Sequence, residues 1–334
     1  MPDMISVAEL ADLVAAVFTI RGMFSDDART MAGVIVAAER DGTLSHGLQR
    51  MRGYVSSMDA GWADPRAKVV LRRATPAVLL ADAGNGFAQI ALAPARGDLM
   101  SIAREQGVAV LATRNSHHFA ALWPDIEPFA AAGLIAITMV NTRPWMIAWD
   151  GTRRVLGTNP VAFACPRAGT APVVWDQASS TLAQGEVLRH ARAERPLPVG
   201  TGVDANGMPC TDAATILNEG ALLPFAGAKG SSIAFMVEIL AAAFGGGRFG
   251  FEDISAAVPG AVTSNTGQFL MLLDPGAASD DFAHRVEAFL DTIIAGGSAR
   301  LPGDRRCANR RRAERDGIAV SCAMLDELRD YARK

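Results

Sequence analysis

The sequence predicts an α+β fold in which both ends of the chain build a helical domain around a middle of mixed strands and helices. Three features carry that expectation. From Ser6 to about Arg40 apolar residues recur at three- and four-residue spacing; from Lys68 the texture changes to short β-rich runs bounded by Gly, Pro or Asn; and the arginine-rich tail from Arg305 to Arg333 is helical again. Regular β-α-β alternation is missing, which argues against a doubly wound sheet. The expected division is residues 1–75 with 285–334 as the helical domain and 76–284 as the α+β domain.

In chain order, Ser6 is placed to cap a first helix, with Glu9 completing a capping box and Leu10, Leu13, Val14, Val17 and Phe18 forming its apolar stripe. A second helix follows near Gly22. A third should begin close to Ser45, run to about Met58 and stop at Ala60-Gly61, where glycine allows the left-handed turn on which helices commonly end. Lys68–Arg72, Ala77–Ala81, Val108–Thr113, Leu134–Val140, Ala162–Cys165 and Val173–Asp176 read as strands, with a helix between Gln89 and Gln106 and another after Phe119, interrupted early by Pro124 and Pro128. Arg189 to Ala226, rich in Pro and Gly, reads as loop with a short helix. The most apolar stretch, Ile233 to Gly247, carries Glu238 and is too short and too charged to span a bilayer, so a helix from Lys229 to Phe244 should pack inside. A strand at Gln268–Leu273 and a helix from Asp280 to Ile294 close the middle.

With 334 residues, half of them apolar, the chain has enough apolar surface for a substantial core. A net charge of −3 gives no support to a general nucleic-acid or anionic-membrane surface and leaves small acidic metabolites as ligands. Cys165, Cys210, Cys307 and Cys322 are scattered, without C-x-x-C spacing, so neither a disulfide framework nor a zinc site is indicated and a reducing, cytoplasmic setting is expected. No basic segment precedes an apolar run at the N-terminus, so no signal peptide is read there.

Chemistry concentrates around histidine. Three of the five histidines lie in Ser45-His46-Gly47 and Asn115-Ser116-His117-His118-Phe119. His46 and Arg50 are four apart and would share a helix face, where a guanidinium suits a carboxylate and an imidazole suits proton transfer to the group beside it. An ordinary solvated helix face with a capping serine accounts for the spacing equally well. His117 and His118 would point to opposite faces of a strand with no carboxylate pattern to complete a ligand set, so no metal is expected. Gly245-Gly246-Gly247-Arg248-Phe249-Gly250 satisfies G-x-G-x-x-G but follows a helix instead of a strand, and reads as a helix-terminating loop. Arg305, Arg306, Arg310, Arg311, Arg312 and Arg315 suit a solvent-facing helix with one or two reaching a phosphate, and Lys229 stands at a helix start that suits either an anion or water.

Taken together, SHGLQR at Ser45 to Arg50, NSHHFAAL at Asn115 to Leu122, GTNPVAFACPR at Gly157 to Arg167, VVWDQASS around Asp176, LLPFAGAKG at Leu222 to Gly230 and LPGDRR at Leu301 to Arg306 resemble the malate/L-lactate dehydrogenase type 2 family of NAD(P)-dependent oxidoreductases. The matches run in order over almost the whole chain. AERDGTLSHG, RGYVSSMDAGW, NGFAQ and LNEGALLPFAGAKG are most similar to its branch that reduces cyclic imino acids.

That resemblance implies a homodimer with a non-Rossmann NADP-binding fold and a mixed, largely antiparallel sheet. It implies NADPH as cofactor, with NADH left open, reducing Δ1-piperidine-2-carboxylate (Δ1-piperideine-2-carboxylate) to L-pipecolate and Δ1-pyrroline-2-carboxylate to L-proline. It assigns His46 as proton donor, Ser45 as its relay partner, and Arg50 with Thr158 as binders of the substrate carboxylate. His118, Phe119, Ala120, Ala121 and Leu122, then Asp176, Gln177 and Ala178, then Gly303, Asp304, Arg305 and Arg306 resemble the segments that hold the cofactor, with Lys229 added as an anion contact. One departure stands out: where that branch carries an Asp completing the relay, this chain has Glu186 after Gly185. The extra methylene would displace the carboxylate by about an ångström, enough to cost on the order of a hundredfold in rate. Glu186 beside His46 would raise its pKa and keep the donor charged. A 2-hydroxy- or 2-keto-acid dehydrogenase and a catalytically silent nucleotide-binding relative are the alternatives.

Overall fold

In a computed structural model, which describes residues 2–297 and 300–333, the helical part begins as its sequence directs. After β1 (Pro2–Ile5), Glu9 N donates to Ser6 Oγ and Ser6 N to Glu9 Oε2, both at 3.2 Å, closing the capping box of α1 (Val7–Ile20). α1 buries Leu10, Val14, Val17 and Phe18 against α2 (Ser25–Arg40) and α3 (Met51–Asp59). Tyr54 joins Phe18 and Phe87 in edge-on contacts at 5.7 and 5.5 Å, and burying such a ring stabilises by about 1.5–3 kcal/mol.

The middle of the chain supplies β2 (Val70–Thr75), β3 (Val78–Phe87), α4 (Ala88–Gln106), β4 (Val108–His117), α5 (Trp123–Ala131), β5 (Ile135–Val140), β6 (Met146–Ile147), β7 (Arg154–Leu156), β8 (Val161–Cys165) and β9 (Val173–Gln177). Pro124 falls in the first turn of α5, where no N–H is missed. Then come α6 (Gln184–Arg192), β10 (Gly202–Val203), β11 (Pro209–Cys210), α7 (Ala213–Asn218), β12 (Ala221–Leu222), α8 (Ala228–Val237), β13 (Asn265–Leu273), α9 (Phe282–Ala295), α10 (Asp304–Asp316), β14 (Ile318–Ser321) and α11 (Cys322–Tyr331). The large sheet has the order β2-β3-β4-β13-β5-β8-β9, and β3 with β4 is its one parallel pair. A second, five-stranded sheet, β11-β10-β12-β6-β7, carries a small core of its own around Met146, Val187, Ile216 and Leu222. The fold is thus mixed helix and strand, and its large sheet is mostly antiparallel.

Several expectations need correction. The tail is not helical throughout: Gly317, at φ 86°, ends α10, and Ile318 and Val320 alternate inward along β14, which pairs antiparallel with β1 and ties the two chain ends together. The helix expected from Lys229 to Phe244 is α8 followed by a π-helical segment, Glu238–Ala243, and it is not buried all round, because Phe235, Ile239 and Phe244 are exposed. β2, placed above with the helical part, pairs with β3 in the large sheet, and Leu290 of α9 packs with Cys165 and Val173 of that sheet. By pairing and packing both elements therefore go with the strands. Among the described residues no helix is long and apolar enough to cross a membrane.

Candidate active site

A cleft of about 680 Å³ runs between the Ser45–Arg50 segment, the ends of β4, β5 and β9, the start of α6 and the turn before α10. Of the residues singled out by sequence, Ser45, His46, Arg50, His118, Phe119, Ala120, Thr158, Asp176, Gln177, Ala178, Glu186, Gly303, Arg305 and Arg306 line it. Ala121, Leu122, Asp304 and Lys229 do not reach its wall.

The expected helix through His46 and Arg50 is instead two 3-10 turns, Leu44–His46 and Leu48–Arg50, joined at Gly47 before α3 begins. Glu39 explains the break: its Oε2 accepts from Leu48 N at 2.8 Å and lies where any side chain at Gly47 would go. The turns still bring the pair together, with His46 Nε2 3.4 Å from Arg50 Nη2 and Ser45 Oγ 3.0 Å from His46 Nδ1.

Arg50 is buried and held on three sides. Its Nε donates to Ser45 O at 2.8 Å, its Nη1 to Gln184 Oε1 at 3.4 Å, and its guanidinium carbon stands 4.2 Å from the centroid of the Phe119 ring. A Cβ added at Gly185 would come within 2.8 Å of Arg50 Nη2 and of Ser45 O, so glycine lets α6 press directly on this unit. Burial lowers the Arg50 pKa to about 10, which leaves it a cation at neutral pH. For His46, burial first, then the charges of Arg50 and His118, push the pKa well below 6.5. The expectation that Glu186 keeps His46 charged is therefore overturned. Both Glu186 oxygens lie 3.2 Å from Arg189 Nη1, and the Glu186 charge acts on Arg50, favouring the guanidinium.

His117 and His118 do diverge. His118 Nε2 lies 2.9 Å from both Asp125 Oδ2 and Gln89 Nε2, in a buried group that Gln268 joins through Asp125. His117 turns the other way, with Nδ1 2.9 Å from Thr263 Oγ1 and Nε2 3.1 Å from Asn85 Oδ1, and burial lowers its pKa to about 4. Thr158 is positioned by its backbone: its N donates to Thr142 Oγ1 at 3.1 Å, and Thr142 N to Asn159 Oδ1 at 3.0 Å. Behind them the buried Glu238 accepts from Asn159 at 2.9 Å, and from Asn141 and Gly250 N at 3.0 Å. Gln89, Gln184 and Glu238 were not legible as site residues, since their partners come from distant segments, and Asp125, although seven residues from His118, shares its carboxylate with the distant Gln268.

At the other end Asp176 Oδ2 accepts from Leu122 N at 2.7 Å and Trp123 N at 3.2 Å, capping α5. This explains why Leu122, whose N–H is committed there, stays behind the wall. Gly303, at φ 92°, caps the start of α10 where a Cβ would come within 3.0 Å of Val174 O, and Arg306 donates to that same carbonyl at 2.5 Å. Asp304 folds back to accept from Leu301 N at 2.8 Å, which turns it from the cleft. Lys229 is exposed in the first turn of α8, outside the cleft. The glycine run 245–250 follows the π-helical segment, away from the wall.

A nicotinamide dinucleotide suits this cavity. The α10 N-terminus with Arg305 and Arg306 gives one end of it the charge that suits an anion, and Phe119, Val140 and Trp175 give flat or apolar wall.

The residues from 5 to 329 match the malate/L-lactate dehydrogenase family model, and the chain belongs to that family. It is 46% identical over 98% of its length to a Δ1-pyrroline-2-carboxylate/Δ1-piperideine-2-carboxylate reductase of Pseudomonas syringae pv. tomato, covering 96% of that protein. A reductase of the same name from Pseudomonas putida is 46% identical over 96% of this chain and 95% of its own. The crystal structure of Δ1-piperideine-2-carboxylate reductase from Pseudomonas syringae pv. tomato superposes with a TM-score of 0.96 at 45% identity, covering 98% of this chain and 99% of that one.

Proposed function

We propose that this protein reduces cyclic imino acids, converting Δ1-piperideine-2-carboxylate to L-pipecolate and Δ1-pyrroline-2-carboxylate to L-proline, with NADPH as cofactor. The observation that carries the reading is the buried Arg50 cation 3.4 Å from the His46 imidazole in one cleft, in a chain 46% identical to reductases of that name. Arg305, Arg306, Gly303 and the α10 N-terminus would hold the nucleotide phosphates, with His118, Phe119 and Ala120 further along the wall. When bound, the reduced nicotinamide supplies hydride.

Arg50 orients the substrate by taking its carboxylate on the N–H groups not already used by Ser45 and Gln184, with Thr158 beside it. Phe119 and the packed start of α6 exclude water from the guanidinium, which strengthens that pairing. His46 is neutral in the ligand-free protein. Burial first and then the Arg50 cation depress its pKa; a carboxylate arriving on Arg50 offsets the second of these, which favours His46 Nε2 taking up a proton as the substrate binds and passing it to the ring nitrogen. Ser45 Oγ holds the other ring nitrogen. Glu186, turned to Arg189, supports the Arg50 charge from a distance instead of completing a relay.

We read the large sheet, with its single parallel pair, as a non-Rossmann nucleotide fold capped by a helical domain from both chain ends, working in the cytoplasm as a homodimer. The exposed Phe235, Ile239 and Phe244 fit a surface covered by a second copy. Sedimentation equilibrium should give about twice the 35.1 kDa chain mass, and a monomer would reject the dimer.

Cofactor oxidation should be followed with Δ1-piperideine-2-carboxylate, Δ1-pyrroline-2-carboxylate, pyruvate and oxaloacetate, each with NADPH and NADH. The expected result is the highest kcat/KM for a cyclic imine with NADPH. A preference for either keto acid would overturn the imine reading in favour of a 2-keto-acid dehydrogenase, and tight NADPH binding without turnover of any of them would indicate a silent relative.

A further inference from the structure

Arg143 lines the same cleft as Arg50 and takes no part in the chemistry above. It lies between β5 and β6, in the run Arg143-Pro144-Trp145-Met146. Its guanidinium carbon stands 4.5 Å from the centroid of the Trp145 ring, and the same ring has Arg154 at 5.3 Å. Nη1 donates to Ser255 Oγ at 3.3 Å, and that hydroxyl is itself anchored on Asp253. This is the one hydrogen bond the Arg143 side chain makes among the described residues, although a guanidinium carries five N–H donors.

Arg143 is part-buried, and Thr142, Val262 and Ser264 line the same cleft. Arg143 is also near enough to Arg50 for its charge to disfavour the Arg50 guanidinium. The Asp253 carboxylate, reached through Ser255, offsets part of the Arg143 charge without bonding its guanidinium, and what remains adds to the Arg50 charge in one protein-walled cavity. A substrate with a single carboxylate answers only one of them.

We propose that Arg143 forms a second anion subsite, so that the cleft takes a cyclic imino acid bearing two carboxylates: Arg50 holds the one next to the C=N bond, and Arg143 the other. The inference rests on the reductase reading for the identity of the ring. Trp145 supplies a flat face that keeps the Arg143 fork fixed, and Ser255 with Asp253 fixes its roll. A charge-assisted pair in such a setting is worth about tenfold to a hundredfold in affinity.

Planar, unreactive ring analogues test this without turnover. Pyridine-2-carboxylate and the 2,3-, 2,4-, 2,5- and 2,6-dicarboxylates should be titrated by tryptophan fluorescence into enzyme saturated with NADP⁺. At least one diacid should bind about tenfold or more tighter than the monoacid, with Arg143→Met losing that advantage and Arg143→Lys keeping part of it. A panel in which no diacid exceeds the monoacid, or an advantage that survives in Arg143→Met, overturns the subsite. Loss of NADPH affinity in Arg143→Met with a flat diacid panel would assign the cation to the cofactor and equally overturn it. If cyclic imines are not reduced yet the diacid advantage disappears with Arg143, the reductase reading falls and the subsite stands.

Discussion

His117 couples stability to pH. In the unfolded chain its pKa lies near 6.5, while burial holds it at about 4 in the fold, so between those values the unfolded state binds more protons. Its contribution is present above pH 6.5 and is lost as pH falls toward 4. By pH 5 the loss is about 2 kcal/mol. Asp176 and Glu238, whose pKa values burial raises, act in the opposite sense, so the comparison must be made between proteins. Urea unfolding of wild type and His117→Gln at pH 7.5 and 5.0 should show a pH-dependent loss smaller by about 2 kcal/mol in the variant. Equal losses would mean that His117 is not the group that titrates. At this scale the sequence was informative where chemistry is local: Ser45, His46 and Arg50 lie within one hexapeptide and meet in space. Gln184 and Asp125 were invisible because an ordinary polar residue on a helix acquires meaning only from what the fold brings against it.

Among the elements, the π-helical segment after α8 does most to shape the substrate end. Its first residue, Glu238, is buried, and its two oxygens accept from Asn159, Asn141 and Gly250 N and so join the Thr158 loop to the end of β5. Gly267 of β13 admits this segment: a Cβ there would lie 1.9 Å from Ala241 O. Glutamine at 238 can accept on only one side, leaving a buried donor facing an amide. Glu238→Gln should therefore lower stability by about 1–3 kcal/mol and raise KM more than it lowers kcat. An unchanged urea midpoint together with an unchanged KM would refute the bracing role. The long, periodic α1 and α2 were legible from apolar spacing, as were β3, β4, β5, β8 and β9 in outline. β14 was not, because four residues between two arginine-rich or polar helices carry too little pattern, and its partner β1 is at the other end of the sequence. The break at Gly47 depends on Glu39, nine residues from Leu48, and no periodicity reports such a contact.

For the whole molecule, function depends on assembling distant segments around one cavity. Arg310 of α10 pairs with Asp41 beyond α2 at 2.6 Å and with Glu127 of α5 at 2.8 Å, drawing α10 onto α2 and α5 so that its first turn completes the cleft. The mixture of helix and strand and the return of helices at the chain end could be read from texture. The boundary between the parts could not, since β2 and α9 look compatible with either until their pairing is known. The proposed chemistry stands on Arg50 as the group that receives the substrate carboxylate. The decisive measurement is kcat/KM for Δ1-piperideine-2-carboxylate in wild type and Arg50→Met, with the NADPH dissociation constant measured alongside. A fall of roughly a hundredfold to a few thousandfold is predicted, from the about 3–5 kcal/mol that unpairing a buried charge costs. A value within threefold of wild type would contradict the account.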